Sequence, residues 1–444
     1  MVSFLPNLIS LKYQAQPMKR CRSVRWKAVG IISGCLININ PVGAQQIAED
    51  GTLSTRVISA DGLHFTITDG DRAGGNLFHS FRQFSIPTGG SALFDNSLDV
   101  ENIISRVTGG SVSQIDGLIR SNGSANLFLL NPNGIIFGSN AQLDIGGSFV
   151  ASTASAMTFA DGSEFSATTA SSSPLLTISV PIGLQYGATP GGIQIQGATL
   201  VVQPDRTLAL IGGDVTMVGG HLSSESGWLE LGAVGGAGTV ELAVATHQIQ
   251  FYFSESIPRA NVSLTNGTTL DASGSGGGDI QLLGKQIVIE DSRVESTTLG
   301  SEPGGNLSVN ATESVELMSN QLTGQFSNGL FAETRGTGSA GSLSITTGRL
   351  TVQGEARISA ATFGVGQGGN LIVNADNSVE LIGIDPPNDD TLGKIFTGIL
   401  TDADAESTGA AGNLTINTGR LIVRDGAQVS ASTFGEGAGG KLTV

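Results

Sequence analysis

The sequence predicts an all-β protein built as a solenoid, for which a parallel β-helix is the best match. Glycine accounts for 64 of the 444 residues, about twice its usual share of roughly 7%, and it lacks the strict period of three that marks collagen. Apolar and polar residues alternate in short runs, whereas amphipathic helical periodicity is hard to find after residue 45. The C-terminal part of the chain also repeats itself. Together these features indicate short strands and tight turns throughout.

The individual strands are predicted from runs in which every second residue is apolar, the pattern of a half-buried strand. Gly-Gly, Asn-Gly, Asp-Gly and Ser-rich turns separate these runs. The clearest runs are residues 63–68, 143–145, 193–195, 307–309, 343–345 and 414–416. In a β-helix the inward Leu, Ile and Val residues of successive coils would stack into one continuous core.

The repeat places residues 341–350 again at 412–421, an offset of 412 − 341 = 71 residues. The same offset carries residues 360–364 onto 431–435. Repeats of this size, made of strands and glycine turns, are typical of a solenoid in which each coil buries its apolar face against the next. Shorter copies begin at Gly278, Gly305 and Gly369.

The repeat region, residues 291–444, ends without a recognisable cap. Val444 lies a few residues into a strand that continues in the earlier copy. A solenoid needs a capping end to protect its last strands. We therefore expect that the chain has been truncated or that more repeats follow in the native gene.

The first 44 residues predict a secretory signal peptide. A basic cluster at 19–27 precedes an apolar stretch at 28–39, and small residues at 42–44 predict cleavage between Ala44 and Gln45. An uncleaved membrane anchor is the alternative, although the apolar stretch is short for a membrane span. Met18 would be a more usual start for such a peptide, so the sequence leaves open whether residues 1–17 are translated.

Charge excludes one class of partner. The formal net charge is −16, and all 38 acidic residues follow residue 44. Without the six basic residues of the leader the net charge becomes 16 − 38 = −22. Such a surface repels phosphate backbones, so we expect no nucleic-acid partner.

Both cysteines, Cys21 and Cys35, lie in the leader, so the predicted mature chain has no thiol. The lack of thiols suits a chain that crosses an oxidising periplasm unfolded, because no disulfide can form early. The alternative is that cysteine is simply rare in this chain.

Residues 131–134, Asn-Pro-Asn-Gly, predict a tight turn between the apolar runs 127–130 and 135–137. Proline presets φ for the second position of a turn, and Asn and Gly tolerate left-handed φ. The segment therefore predicts a strand, a turn and a second strand. Nothing in it is equipped for catalysis.

With Ile135, this turn resembles the Asn-Pro-Asn-Gly-Ile signature of the two-partner secretion domain, found at the N-terminus of filamentous-haemagglutinin-type exoproteins. The resemblance covers about residues 47–290. The family's other signature, an upstream Asn-Pro-Asn-Leu turn, is not present; residues 96–98, Asn-Ser-Leu, lie near its expected place. Segments that look like the cyanobacterial-type members are 76–81, 103–110, 115–119, 126–135, 146–154, 181–184 and 208–215.

The resemblance implies a right-handed parallel β-helix with an N-terminal β-cap, in which residues 45–290 form the two-partner secretion domain. It implies export through the periplasm of a Gram-negative-type bacterium and across its outer membrane, by a β-barrel transporter that recognises this domain. The product would be a secreted or surface-exposed adhesin whose target is a host cell, a cell surface or a polysaccharide. Asn131, Pro132, Asn133, Gly134 and Ile135 are then either the turn that the transporter recognises or a structural turn.

Other motifs predict no catalytic residue, cofactor or metal site. Residues 364–369 and 435–440 fit G-x-G-x-x-G, but a strand pattern rather than a helix follows the first of them, so both are interpreted as turns between coils. Residues 274–279 resemble a single calcium-binding nonapeptide, and the sequence leaves open whether calcium binds. The chain has four histidines, and their spacing does not match that of metal ligands: His64, His79, His221 and His247.

The alternative function is a secreted polysaccharide lyase or hydrolase, since β-helices often present acidic residues along one groove. Asp389 with Asp390, and Asp402 with Asp404, are paired acids, which we interpret as parts of solvated loops. Aromatic residues are interpreted as core or rim rather than as a sugar platform: Trp228 and Tyr252. Lysines that could bind acidic sugars are few after the leader: Lys285, Lys394 and Lys441.

Overall fold

A computed structural model describes residues 46–169, 176–245, 248–320, 328–384 and 397–444. The predicted leader, with Ala44 and Gln45, lies outside the described residues. The described residues form strands and turns, and none of them is helical. Among them, no helix has the length and apolarity needed to cross a membrane.

The strands are listed here in chain order. They are β1 (Ala48–Glu49), β2 (Thr55–Ile58), β3 (His64–Asp69), β4 (Asp71–Ala73), β5 (Asn76–Gln83), β6 (Ser91–Phe94), β7 (Asn102–Val107), β8 (Ser113–Ile115), β9 (Leu118–Ser121), β10 (Asn126–Leu130), β11 (Ile135–Phe137), β12 (Gln142–Asp144), β13 (Phe149–Ser152), β14 (Ala156–Phe159), β15 (Glu164–Ser166), β16 (Pro181–Tyr186), β17 (Ile193–Gln196), β18 (Thr199–Val201) and β19 (Thr207–Gly212). The second half comprises β20 (Val215–Val218), β21 (His221–Ser223), β22 (Trp228–Ala233), β23 (Gly238–Val244), β24 (Ile249–Phe253), β25 (Val262–Thr265), β26 (Thr269–Asp271), β27 (Asp279–Glu290), β28 (Arg293–Glu295), β29 (Leu307–Met318), β30 (Gly329–Phe331), β31 (Leu343–Gln353), β32 (Arg357–Ser359), β33 (Leu371–Ile382), β34 (Gly398–Leu400), β35 (Leu414–Thr418), β36 (Leu421–Arg424), β37 (Gln428–Ser430) and β38 (Leu442–Thr443).

Most strands pair in parallel with the equivalent strand of the next coil, which makes a parallel β-helix with three faces. The first face runs from β5 through β7, β10, β13, β19 and β22 to the first halves of the long strands β27, β29, β31 and β33. The second runs from β8 through β11, β17, β20 and β25 to the second halves of the same long strands. The third contains β3, β6, β9 and β12, and then β18, β21, β26, β28, β30, β32, β34 and β37.

Inward side chains of all three faces form one core that extends from Ile47 to Ile416. On the first face Ile103, Leu127 and Phe149 stack in register and are buried. Their burial removes apolar surface from water, and parallel pairing satisfies the backbone within the stack. The predicted strand runs and the predicted fold class are confirmed.

The 71-residue repeat corresponds to two coils rather than one. Leu343 pairs with Leu371, and Leu371 pairs with Leu414. The core continues without a break past residue 290, so the boundary between a secretion domain and a repeat region at 290/291 stays a prediction.

The first face carries a second layer that the sequence analysis did not predict. Five antiparallel strands, β15, β14, β16, β23 and β24 in spatial order, form this antiparallel layer. Outward residues of the first face, including Phe78, Ile104 and Phe128, pack with it into a second core. Two insertions supply the layer, one between β13 and β17 and the other between β22 and β25.

Antiparallel pairs close the N-terminal end, where β1 and β4 pair with β5, and β2 pairs with β3. Arg106 ties this cap to the antiparallel layer. Its guanidinium, which is fully buried, donates from Nε to Ser80 Oγ at 2.8 Å, from Nη2 to Thr52 Oγ1 at 3.0 Å and from Nη1 to the Ser166 carbonyl oxygen at 2.5 Å. The predicted N-terminal β-cap is confirmed.

Candidate recognition turn

The Asn131–Gly134 turn joins β10 of the first face to β11 of the second. The Gly134 amide donates a hydrogen bond to the Asn131 carbonyl oxygen at 3.1 Å, which closes a four-residue turn. Pro132 occupies the second position, where its fixed φ fits. Gly134 has φ of +121°, a conformation that L side chains rarely adopt. The predicted strand, turn and strand are confirmed.

Asn131 is buried and holds the turn against the preceding coil. Its Nδ2 donates to the Ser111 carbonyl oxygen at 3.0 Å and to Ser113 Oγ at 2.9 Å. Its Oδ1 accepts from the Asn133 amide at 3.0 Å. Removing such a side chain would leave buried partners unsatisfied, which costs about 1–3 kcal/mol.

Asn133 is the exposed residue of the turn. Its Nδ2 donates to the Gly109 carbonyl oxygen at 2.7 Å, in the preceding coil. On the other side the Gly191 amide donates to the Pro132 carbonyl oxygen at 3.1 Å. Ile135 is buried in the core. The surface offered to solvent is therefore the Asn133 side chain with part of the Pro132 ring.

The Asn96 turn lies at a different corner of the helix, between β6 of the third face and β7 of the first. Asn96 is buried; its Nδ2 donates to the Asn122 carbonyl oxygen at 3.0 Å and its Oδ1 accepts from the Asn122 amide at 2.9 Å. Leu98 is 76% exposed beside it. The two Asn-containing turns therefore do not form one continuous surface along a single corner.

An asparagine ladder next to this corner was missed by the sequence analysis. Asn102 Nδ2 donates to Asn76 Oδ1, and Asn126 Nδ2 donates to Asn102 Oδ1, each at 3.0 Å. The ladder continues where the Ser148 amide donates to Asn126 Oδ1 at 2.9 Å. The available signal was an Asn directly before three successive apolar runs of the first face.

Among the three histidines that the structure describes, His79 is the buried one. It lies in the main core, with its ring centroid 5.5 Å from that of Phe94, and Thr55 Oγ1 lies 3.3 Å from its Nδ1. Burial lowers the pKa of His79 to about 4, against the charges of Asp71 and Asp69. The described residues contain no group of three or more His, Cys, Asp or Glu that could hold a metal ion. His247 lies outside them.

The glycine motifs fall where coils meet. In residues 364–369 the amides of Val365 and Gly366 both donate to the Gly336 carbonyl oxygen, at 3.1 and 3.0 Å, and β33 follows. Both stretches, the second at 435–440, pack on the glycine-rich turn of the preceding coil: a Cβ at Gly437 would lie 2.1 Å from the Gly409 carbonyl oxygen. Such contacts leave no room for a phosphate within the stack.

The paired acids that the structure describes serve turns. Asp402 Oδ1 accepts from Ser430 Oγ at 2.6 Å and from the Ser432 amide at 2.7 Å, and Asp404 Oδ1 accepts from the Glu406 amide at 3.3 Å. Asp389 and Asp390, with Lys394, lie outside the described residues.

Comparison with known protein families identifies the family of this chain. The family model of the TPS secretion domain matches residues 45–282, more than half of the chain. The chain belongs to this family. It therefore carries the secretion domain of a two-partner secretion exoprotein.

A solved structure with a TM-score above 0.5 agrees on the fold. The HMW1 secretion domain from Haemophilus influenzae has a TM-score of 0.55 and 17% sequence identity, over 90% of this chain and 99% of that one. The filamentous hemagglutinin secretion domain covers 90% of this chain and 100% of its own, with 14% identity and a TM-score of 0.38. No curated protein matches the sequence. None of these findings supports the lyase or hydrolase alternative.

Proposed function

We propose that the secretion domain directs export of this chain across the outer membrane through a partner β-barrel transporter, and that the transporter recognises the Asn131–Gly134 turn. The family match over residues 45–282 carries the export role. The turn is supported as the recognised element by its exposed Asn133 side chain and by its rigid attachment to both neighbouring coils. A rigid turn loses little conformational entropy when a partner binds it.

The stack of coils supports the energetics of export. Each coil contacts mainly its neighbours, so folding can release free energy coil by coil as the chain emerges. Native stability of roughly 0.05–0.15 kcal/mol per residue amounts to a few kcal/mol for several coils. That is enough to oppose backward movement of the chain.

The adhesive role belongs to the shaft, the coils from β27 onwards, on a secreted or surface-exposed protein that reaches the outer membrane through the periplasm. Residues 1–44 act as the signal peptide, with cleavage between Ala44 and Gln45. The shaft would present its side chains at a distance from the secretion domain.

The test is secretion of the full chain coexpressed with its partner transporter, comparing Asn133→Ala with the unchanged chain. We expect Asn133→Ala to accumulate in the periplasm, and Asn131→Ala to do so more strongly. Secretion is measured as the ratio of culture-medium to periplasmic protein.

Asn140→Ala is the matched control, because Asn140 is an exposed asparagine of the same coil at the next corner, where it donates to Asp116. Thermal unfolding of the purified variants separates recognition from stability. Undiminished secretion of Asn133→Ala, or an equal loss in Asn140→Ala at equal stability, contradicts recognition of this turn.

A further inference from the structure

A groove of about 620 Å³ lies where the antiparallel layer ends and the shaft begins. One wall is β24, the outermost strand of the layer, together with Trp228 at the start of β22. The floor consists of residues from β27, β29, β31 and β33 and the bends within them. Its volume is within the range of ligand-binding clefts, about 300–1,000 Å³. We call it the axial groove.

Aromatic side chains form the wall of the axial groove. Trp228 is half-buried, and Tyr252 is 52% exposed with its hydroxyl donating to Gln250 Oε1 at 2.9 Å. Phe253 packs directly on the first face at Gly232, where a Cβ would lie 2.4 Å from Phe253 Cζ. The absence of a side chain at Gly232 therefore lets the wall stand close to the floor.

A buried carboxyl group fixes the indole from below. Trp228 Nε1 donates to Glu230 Oε2 at 3.2 Å. Glu230 is completely buried, and burial raises its pKa well above the ordinary value. Its other oxygen, Oε1, has no hydrogen-bond partner among the described residues. Glu230 is thus a positioning residue for Trp228, and the charge of Arg259 partly offsets the cost of its burial.

The floor offers four polar side chains that run diagonally across the strands. Gln281, Asn310, Thr346 and Asp376 come from four successive coils. Asn310 and Thr346 pair in register, whereas Gln281 lies two residues before that register and Asp376 two residues beyond it. Paired strands are about 4.8 Å apart, so the four coils span about 14 Å along the helix axis. Such a row matches an elongated ligand that carries polar groups at repeated intervals.

We propose that the axial groove binds a neutral oligosaccharide that lies diagonally across the strands of its floor. One face of a sugar ring consists of polarised C–H groups, which pack on the electron-rich faces of Trp and Tyr. Its hydroxyls pair with amide, hydroxyl and carboxylate groups such as those of the floor. Three charged residues line the groove: the carboxylates of Glu255 and Asp376 and the guanidinium of Arg259, which lies over the Phe253 ring. The two carboxylates outnumber the single cation and so disfavour acidic sugars.

An extended peptide added to the edge of β24 is the competing occupant, because no other strand of the described residues pairs with that edge. Peptide binding of that kind needs pockets for alternate side chains, whereas the floor presents short polar groups. The groove therefore favours sugar. Trp228 and Tyr252, which the sequence analysis interpreted as core or rim, meet at this site.

Intrinsic tryptophan fluorescence can be used to monitor ligand binding in the axial groove. The chain has two tryptophans, Trp26 and Trp228. In the full chain carrying Trp26→Phe, all tryptophan emission comes from the groove. We expect titration with at least one of three neutral hexasaccharides, cellohexaose, maltohexaose or N-acetylchitohexaose, to shift and saturate this emission.

Variants then locate the binding. By isothermal titration calorimetry we expect Tyr252→Ala and Gln281→Ala each to weaken binding tenfold or more. Gln194→Ala, an exposed glutamine on the second face away from the groove, should leave the dissociation constant unchanged. Glu230→Gln should retain binding, since an amide oxygen can still accept from the indole, and Glu230→Leu should weaken it.

Each outcome of the titrations supports or contradicts one occupant of the groove. No emission shift with any neutral hexasaccharide overturns the proposal, as does tighter binding of hexagalacturonic acid. Binding of an alternating Thr-Val hexapeptide in place of the sugars would assign the groove to peptide. The site is independent of the export role, since purified chain is used and secretion is not measured.

Discussion

The outward side chains of the first face differ between the two ends of the molecule, although the inward ones are alike. At one register position the N-terminal coils carry Phe78, Ile104 and Phe128, whereas the shaft carries Ser308, Ser344, Thr415 and a single apolar residue, Ile372, which is 42% exposed. The first three are buried beneath the antiparallel layer, and the two serines are only half-buried. Inward residues thus build the coil, while outward residues decide whether it acquires a second layer.

The change between the two regions occurs at Glu230. In register order the position passes from Val150 and Ala209 to Glu230 and then to Gln281. The antiparallel layer ends beside this coil, and the axial groove begins there. The border between a covered and an uncovered face is therefore also the place where a concave surface forms.

The largest expected difference in the free energy of unfolding comes from removing one outward side chain in each region. Phe128→Ala should lower the free energy of unfolding by about 3–5 kcal/mol, because it opens a cavity in the second core. Thr415→Ala, at the equivalent shaft position, should change it by less than about 0.5 kcal/mol. Urea unfolding followed by circular dichroism measures both. Equal losses would show that the layer does not stabilise the N-terminal coils.

Acidification should affect the two regions in opposite directions. The pKa of His79 is about 4 when folded and about 6.5 when unfolded, so its contribution is complete above pH 6.5 and is lost as the pH falls towards 4. A shift of this size corresponds to about 3 kcal/mol. Burial instead raises the pKa of Glu333 in the shaft, although Ser359 Oγ donates to it at 2.5 Å. That contribution is present in acid and is lost as the pH rises through the raised pKa.

The pH test uses His79→Gln and Glu333→Gln, with unfolding measured between pH 4 and pH 8. His79→Gln should flatten the loss of stability below pH 6.5, and Glu333→Gln should raise stability at neutral pH relative to the unchanged chain. If the His79→Gln protein keeps the full acid sensitivity, His79 is not the titrating group.

Asparagine ladders exist in both regions but differ in burial. Asn102→Ala breaks a buried hydrogen bond to Asn76 and a partly buried one from Asn126, and should cost about 1–3 kcal/mol. Asn413→Ala removes exposed contacts, including one of 3.2 Å to Asn370, and should cost about 0.5 kcal/mol. Thermal unfolding of the two variants side by side measures the difference. A larger loss for Asn413→Ala would contradict the role assigned to burial.

The smallest effect is expected from exposed ion pairs, which should be alike in both regions. Arg72 Nη2 lies 2.8 Å from Asp99 Oδ2 near the cap, and Lys285 Nζ lies 3.2 Å from Glu313 Oε1 in the shaft. Arg72→Ala and Lys285→Ala should each lower the thermal unfolding midpoint only slightly, and by less in high salt. A marked difference between them would mean that charge, as well as outward apolar surface, separates the regions.

Much of the fold could be predicted because a β-helix is a local, repeated structure. Period-2 alternation marked the strands that become β17, β29, β31 and β35, and Pro132 with Gly134 marked a turn whose conformation the residues themselves favour. The length of a coil was harder to predict. The 71-residue repeat spans two coils of unequal length, since Leu343 pairs with Leu371 after 28 residues and Leu371 pairs with Leu414 after 43.

The antiparallel layer could not be predicted in the same way. β14 and β23 lie in different insertions and meet only through β16. Strand pairing between distant segments leaves no periodic signal in either one. For the same reason Trp228 and Tyr252 gave no indication of a shared groove.

The sequence by itself determined the inward pattern and the turns, since each depends on residues within one coil, and it indicated the family through segments spread over many coils. Only the tertiary structure decided which outward faces are covered, because coverage depends on insertions that return to coils far away in the chain. The same holds for Asn131: its turn follows from four adjacent residues, but its burial against Ser111 and Ser113 depends on how the preceding coil stacks beneath it.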